Sequence, residues 1–263
     1  MATKDQTTER DAAGPRGIMQ IIYPEVDVGG FSRVDGIVHF YQRVNALVQP
    51  TDTVLDIGAG RGQNHIEDPS AYRRHLIGFK GRVARMIGLD VDEVVLTNPA
   101  LDEAHLIKDN KFPLPDASVD VAFADWTLEH IPDPAAFSRE VHRVLKPGGW
   151  FCARTPNKWG YISVAARLIP ERLHDLVLGW AQPDREQKDV FPTHYLLNTR
   201  RDIERHFDPG HWKVYIHCHT NEPAYFGKSV FMWRLAQLMF WLTPSPMGAV
   251  LMIYIQKRAE ADL

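Results

Sequence analysis

Apolar and polar positions repeat with two different periods along this chain. From Phe31 to Val48 the apolar residues Val34, Ile37, Val38, Tyr41, Val44 and Leu47 or Val48 fall at helical spacing, and Pro50 closes the run. A short β-branched stretch, Thr53 to Ile57, then runs straight into Gly58, Gly60 and Gly62, the pattern of a strand entering a tight turn. Further strands are expected at Met86–Asp90, Ala104–Ile107 and Ser118–Ala124. A helix is expected from Pro134, capped by Asp133 and stopped by Pro147-Gly148-Gly149 before a strand that begins at Trp150. Strand and helix in this alternation predict an α/β fold with a parallel, doubly wound sheet.

The second half keeps the alternation less cleanly. Asn198 to Phe207 reads as a helix capped by Asn198, and WKVYIHCH and GAVLMIYIQKR read as strands. Two further segments, Tyr161 to Trp180 and Ser229 to Leu242, carry apolar residues at helical spacing. In the second, Phe231, Leu235, Leu238 and Leu242 form one stripe, while Arg234, Gln237 and Trp241 share another. It is too short and too polar to span a bilayer. Residues 1–17 are polar and aperiodic and read as a disordered leader without the apolar run of a secretory signal.

Composition narrows the function classes. The 263 residues carry 30 Lys+Arg against 33 Asp+Glu, a formal charge of -3, so no bulk electrostatics draw the chain to nucleic acid. Arg73, Arg74, Lys80, Arg82 and Arg85 read as a solvated face. Cys152 and Cys218 cannot build a disulfide framework, no CxxC metal spacing occurs, and a cytoplasmic compartment is the expectation. Six of the seven tryptophans lie at or beyond Trp150, which marks the second half as chemically different.

One motif carries chemistry. Asp56-Ile57-Gly58-Ala59-Gly60-Arg61-Gly62 follows a strand, and Asp90 ends the next strand. Glycines let the backbone approach a ligand closely, and a carboxylate at the end of the second strand is placed to accept from both ribose hydroxyls of a nucleoside. Asp90 follows Gly60 by 30 positions, more than the usual spacing of about 20. Pro69 interrupts the helix expected between them, so the intervening HIEDPSAYRRHLIGFKGR is either a loop that reaches substrate or an idle excursion.

VLDIGAGRG, then IGLDVDE, then FPLPDASVDVAFADWTLEHIPDPAAFSREVHRVLKPGGWFCARTPN together resemble a class I S-adenosylmethionine-dependent methyltransferase of the small-molecule type. The resemblance runs from about Val54 to Asn157 and fades beyond. It implies a Rossmann-like sheet of seven strands, the last antiparallel, with helical substrate-cover insertions and S-adenosyl-L-methionine as cofactor. It implies a single domain over 18–263: a lid helix (18–50), a cofactor core (51–157) and cover insertions (158–197 and 220–247). In such enzymes Asp56 anchors the amino end of the cofactor, and the turn of Gly58, Ala59 and Gly60 faces its methionine part. Asp90 binds the ribose, Val91 packs on the adenine, and Asp109, with Asn110 beside it, meets the adenine amino group. Asp125 and Trp126 border the sulfonium and the methyl group.

A hydroxyl acceptor needs a positioned base. His130, in the loop after the fourth strand, is the first candidate, since histidine titrates near neutrality; the alternative is a backbone hydrogen bond within the loop. His194 and Tyr195 are candidates for the acceptor wall, against simple packing at a helix entry. Tyr23 is either a lid residue or a surface aromatic. His217 and His219, at period two on one strand face, read as packing, with no metal site. The expected partner is a small-molecule acceptor with an apolar or glycosidic part. The aromatic insertions also suit a peripheral membrane contact or a homodimer, with membrane-surface methylation of a quinone or isoprenoid lipid as the alternative function. A non-catalytic cofactor-binding scaffold is a third reading.

Overall fold

A computed structural model describes residues 17–161, 192–223 and 229–259. Most of the leader and most of the segment from Tyr161 to Trp180 lie outside these residues. The elements are α1 (Ile18–Ile22), α2 (Gly36–Leu47), β1 (Thr53–Ile57), α3 (Gln63–Glu67), α4 (Ala71–Ile77), β2 (Arg85–Asp90), β3 (Glu103–Leu106) and β4 (Val119–Asp125). After them come α5 (Pro134–Val144), β5 (Leu145–Pro156), α6 (Arg200–His206), β6 (Trp212–His219), α7 (Val230–Leu242) and β7 (Val250–Lys257).

The seven strands form one sheet in the order β3-β2-β1-β4-β5-β7-β6. β1 to β5 run parallel, and β7 inserts antiparallel between β5 and β6. Strand order reverses beside β1, which leaves a crevice at the carboxyl ends of β1 and β4. Each sheet face buries its own apolar cluster. One is covered by α5 and α6 through Phe137, Val141, Ile203 and Phe207. The other is covered by α2 and α4 through Val38, Phe40, Val44 and Leu76. This two-sided cover explains why the strands read as nearly continuous apolar runs.

Several boundaries differ from the sequence expectation for identifiable reasons. The first long helix starts only at Gly36, because the Asp35 side chain accepts from the amides of Ile37 and Val38 and caps it there. The Pro147-Gly148-Gly149 stretch lies inside β5, which is bulged where Val119 pairs with Leu145 but Val121 pairs with Trp150. Thr199, not Asn198, caps α6: its hydroxyl accepts from the Asp202 amide, while Asn198 is fully buried and bonded elsewhere.

The segment after the glycine turn is not an irregular loop. It folds as α3 and α4, with Ser70 capping the second. Of its basic groups, Lys80, Arg82 and Arg85 are exposed as a solvated face would be, while Arg73 and Arg74 are half-buried. Arg73 bridges Asp68 (2.8 Å) and the α2 cap Asp35 (2.7 Å) in mostly buried ion pairs. Arg85 pairs with Glu103, and Lys80 donates to the carbonyls of Pro99 and Leu101. These basic groups fasten the insertion to the core.

In α7 the buried residues are Trp233 and Ala236, with Trp233 packed on Ile22 and Tyr23. Tyr23 is therefore a core residue rather than a surface aromatic or lid. The stripe of Phe231, Leu235, Leu238 and Leu242 faces outward, together with Trp241. Helical spacing alone does not say which of two apolar faces meets the core. No helix among the described residues is long and apolar enough to cross a membrane.

Candidate functional site

A cavity of about 570 Å³ opens at the carboxyl ends of β1, β2 and β4. Its lining includes Asp56, Gly58, Ala59, Gly60, Asp90, Val91, Asn110, Asp125, Trp126, His130 and His194. Eleven of the twelve residues singled out in the sequence therefore share one space. The twelfth, Asp109, is exposed and outside the lining; it and the adjacent Asn110, also exposed, both sit in left-handed backbone (φ 52° and 56°).

The glycine turn is built by its surroundings. Gly58 has φ +82°, and a Cβ there would clash with the Thr127 side chain, so any other residue strains the turn. Thr127 Oγ1 in turn donates to the Ile57 carbonyl. Asn98 clamps the turn from below: its Nδ2 donates to the carbonyls of Ala59 (3.0 Å) and Gly60 (3.1 Å), and its Oδ1 accepts from the Ala100 amide. Beyond Gly60 the space is open. The Asp90 carboxylate is held by the Gly60 amide (2.9 Å, to Oδ2) and the Asp92 amide (3.0 Å, to Oδ1). Each oxygen keeps a second lone pair for a further donor.

Asp56 is the electrostatic anomaly of the site. Its carboxyl is raised well above the usual carboxylate range by burial, then by repulsion from Asp125 and Asp90. No hydrogen bond from the described residues satisfies it. A partly buried carboxylate that accepts from none of the described residues, beside an open glycine turn, suits a ligand ammonium group. With Asp90 oriented for a diol and Val91 exposed, the donor set fits S-adenosylmethionine from its amino end to its ribose and adenine.

Behind the site lies a network that the sequence did not announce. Arg154 of β5, only 3% exposed, grips Asp125 through Nε and Nη2. The Tyr41 hydroxyl of α2 donates to Asp125 Oδ2 (3.1 Å), and burial raises that phenol further above its ordinary value. The Arg154 guanidinium also lies against the Trp126 ring, 5.6 Å from its centroid. Trp126 has φ +56° and its amide donates to the Arg154 carbonyl, so the indole is set as a shelf in the cavity wall. Asp125 thus holds structure as well as bordering the cavity. The one legible signal for this network was a charged residue inside an apolar strand, Arg154 in WFCAR.

At the far end, His130 Nδ1 donates to the Pro192 carbonyl (3.0 Å). A carbonyl only accepts, so Nδ1 carries the proton and Nε2 is the basic nitrogen of the neutral ring. The His194 amide donates to the Glu129 carbonyl (2.7 Å), which brings the two histidine loops together. His217 and His219 lie elsewhere: His219 stacks near His39 (4.5 Å) and bonds the Val34 carbonyl. Among the described residues no group of three metal-ligating side chains forms.

Residues 55–153 match the family model for a methyltransferase domain. A probable S-adenosylmethionine-dependent methyltransferase of Mycolicibacterium smegmatis is 39% identical over 125 residues, 45% of this chain and 43% of that protein. A ubiquinone biosynthesis O-methyltransferase of Sodalis glossinidius is 35% identical over 123 residues, 40% of this chain and 47% of that protein. The chain thus spans somewhat under half the length of these relatives. Among solved structures, a SAM-dependent methyltransferase of Thermotoga maritima superposes with a TM-score of 0.51 at 14% identity, covering 89% of this chain and 94% of that one. The [4+2]-cyclase SpnF superposes at 0.50 and 15% identity, covering 84% and 80%. A shared fold with a cyclase shows that the fold by itself does not choose the reaction. The glycine turn and its two carboxylates lie within residues 55–153, the stretch that matches the methyltransferase model, so this part of the chain carries a methyltransferase domain similar to that of S-adenosylmethionine-dependent enzymes.

Proposed function

We propose that this chain methylates an oxygen of a small-molecule acceptor with a glycosidic or hydrophobic part, with His130 as general base. The observation that supports the reading is one cavity lined both by Asp56 and Asp90 and by a histidine whose Nδ1 donates to a backbone carbonyl. When bound, S-adenosylmethionine supplies a methyl group on a sulfonium, whose in-line displacement depends mainly on alignment. His130 Nε2 accepts the acceptor's hydroxyl proton as the oxygen becomes nucleophilic. Trp126, Ile131, Pro132 and Pro192 give the acceptor an apolar wall, and His194 adds a polar group at its rim. The test is release of S-adenosylhomocysteine with a panel of hydroxylated small molecules. His130→Ala should slow turnover by about 10²-fold or more, the usual scale of general-base catalysis. Turnover near that of the unaltered protein would remove His130 from the mechanism.

The outward face of α7 favours a second reading, acceptors presented at a membrane surface. Phe231 is 74% and Trp241 80% exposed, with Leu238 and Leu242 between them. The Sodalis relative is named for ubiquinone biosynthesis, and a quinone or isoprenoid acceptor would suit such a face. Co-sedimentation with phospholipid vesicles, lost in the Phe231→Ser/Trp241→Ser variant, would support it. Absence of sedimentation would leave the soluble-acceptor reading. Trp233 is unsuited to this test because it is buried.

A further inference from the structure

The two histidine loops are tied together by a closed ring of buried hydrogen bonds. Thr155 of β5 is fully buried; its Oγ1 donates to Glu129 Oε2 (2.9 Å) and accepts from Asn198 Nδ2 (2.8 Å). Asn198 Nδ2 also reaches the Pro156 carbonyl (2.9 Å). The Glu129 main-chain carbonyl accepts from the amides of His194 (2.7 Å) and Tyr195 (3.2 Å). The chain from Tyr195 to Asn198 then closes the ring back onto Thr155. The His130–Pro192 bond crosses it once more.

Three physical points make this ring more than loop packing. Thr155 acts as donor and acceptor at once, so each bond polarises the other in a buried setting. Tyr195 stands at φ +52°, a conformation that a bulky residue keeps only where its surroundings over-determine it. A glutamate is also a costly choice at a buried position unless its oxygens have partners. Burial raises the Glu129 carboxyl, while its hydrogen bonds and the neighbouring His130 pull the other way. Neither Glu129, Thr155 nor Asn198 lines the cavity; the residues they fasten do.

We propose that Glu129 is a positioning residue: its carboxylate fastens the Leu128–His130 turn to β5, and its carbonyl fastens the His194 turn to the same point. Both histidines are thereby held as one wall at the acceptor end. This rests on reading that end as the acceptor site. The side chain is the removable half of the device, because the carbonyl remains in every variant. Without the carboxylate, the turn loses its anchor on β5, and the His130–Pro192 bond loses its fixed geometry.

The experiment compares Glu129→Ala, Glu129→Gln and Thr155→Val with the unaltered chain, reading the His130 imidazole by long-range 1H–15N correlation. The unaltered chain should show one neutral tautomer with the proton on Nδ1. Glu129→Ala and Thr155→Val should show a mixture of tautomers, and Glu129→Gln, which keeps an acceptor oxygen, should restore the single one. S-adenosylhomocysteine affinity, measured by calorimetry, should stay within about two-fold throughout, as expected for sites that share no partner. A single Nδ1–H tautomer in Glu129→Ala would overturn the proposal. So would a loss of cofactor affinity of about ten-fold or more accompanying the tautomer change in Thr155→Val, since the effect would then be general disruption. If the unaltered chain failed to bind S-adenosylhomocysteine, the methyltransferase reading would fall instead, whatever the tautomer.

Discussion

Replacing Asp56 by Asn should move stability and cofactor binding in opposite directions. The carboxyl is partly buried, raised by desolvation and by the charges of Asp125 and Asp90, and given no donor among the described residues. Its folded value lies above its unfolded one, so the folded state holds the proton more tightly. Below the ordinary carboxylate range both states are protonated, and Asp56 contributes nothing to the balance. As pH rises from there through the raised folded value, stability is lost, and the full penalty persists above it. A buried polar group without a partner costs about 1–3 kcal/mol, more when charged. Asn keeps the polarity and removes the charge, so a net gain of about 1 kcal/mol is expected at neutral pH. For a chain of this size that is a rise of about 2–4 °C in Tm. The same substitution removes a charged partner of the cofactor's amino group, a bond worth about 1.5–3 kcal/mol, or roughly ten- to a hundred-fold in affinity. Thermal denaturation of the ligand-free protein at pH 5 and pH 8, with calorimetry of S-adenosylmethionine binding at pH 8, tests both arms. The gain in Tm should be larger at pH 8. A gain that shrinks with rising pH, or unchanged cofactor affinity, would refute the reasoning.

Three further outcomes follow from the same geometry. Asp90→Ala should weaken S-adenosylmethionine binding strongly, because the acceptor for the ribose hydroxyls disappears and the Gly60 and Asp92 amides lose their partner; unchanged affinity in calorimetry would refute the ribose assignment. Arg154→Met should destabilise the fold by about 3–5 kcal/mol by leaving the mostly buried Asp125 carboxylate without its ion-pair partner, with only the Tyr41 hydroxyl still donating to it. The Asp125→Asn/Arg154→Met double variant should recover part of that loss in denaturant melts. Gly58→Ala should lower cofactor affinity without abolishing folding, since the new methyl group displaces Thr127 from beneath the turn; a variant that binds normally would show that the turn tolerates a side chain.

How much of the site could be read in advance depended on the range of the interaction. The β1 turn and Asp90 are local motifs, each set by a few consecutive residues, and they occupy one cavity lining. Asp109 and Asn110 share one turn, and a local motif does not report that Asn110 alone of the two borders the cavity. Tyr41 was legible as a core position of a helix, yet its hydroxyl reaches Asp125, 84 positions away. Arg154 stood out only as a charge inside an apolar strand, and nothing local named the partners of Arg154, Glu129 or Asn198, because each finds its partner on a different strand or loop.

The sequence by itself determined the alternation of strand and helix, the place of the glycine turn, the two carboxylates at successive strand ends and the resemblance of residues 55–153 to a methyltransferase domain. These rest on backbone geometry and short spacing, which neighbouring residues dictate. Only the tertiary structure decided that the basic insertion is bolted to α2, that α7 turns Trp233 inward and Phe231 outward, and that His130 holds its proton on Nδ1. Those outcomes depend on which surfaces meet across the sheet, and a periodicity of apolar residues names two faces without choosing between them.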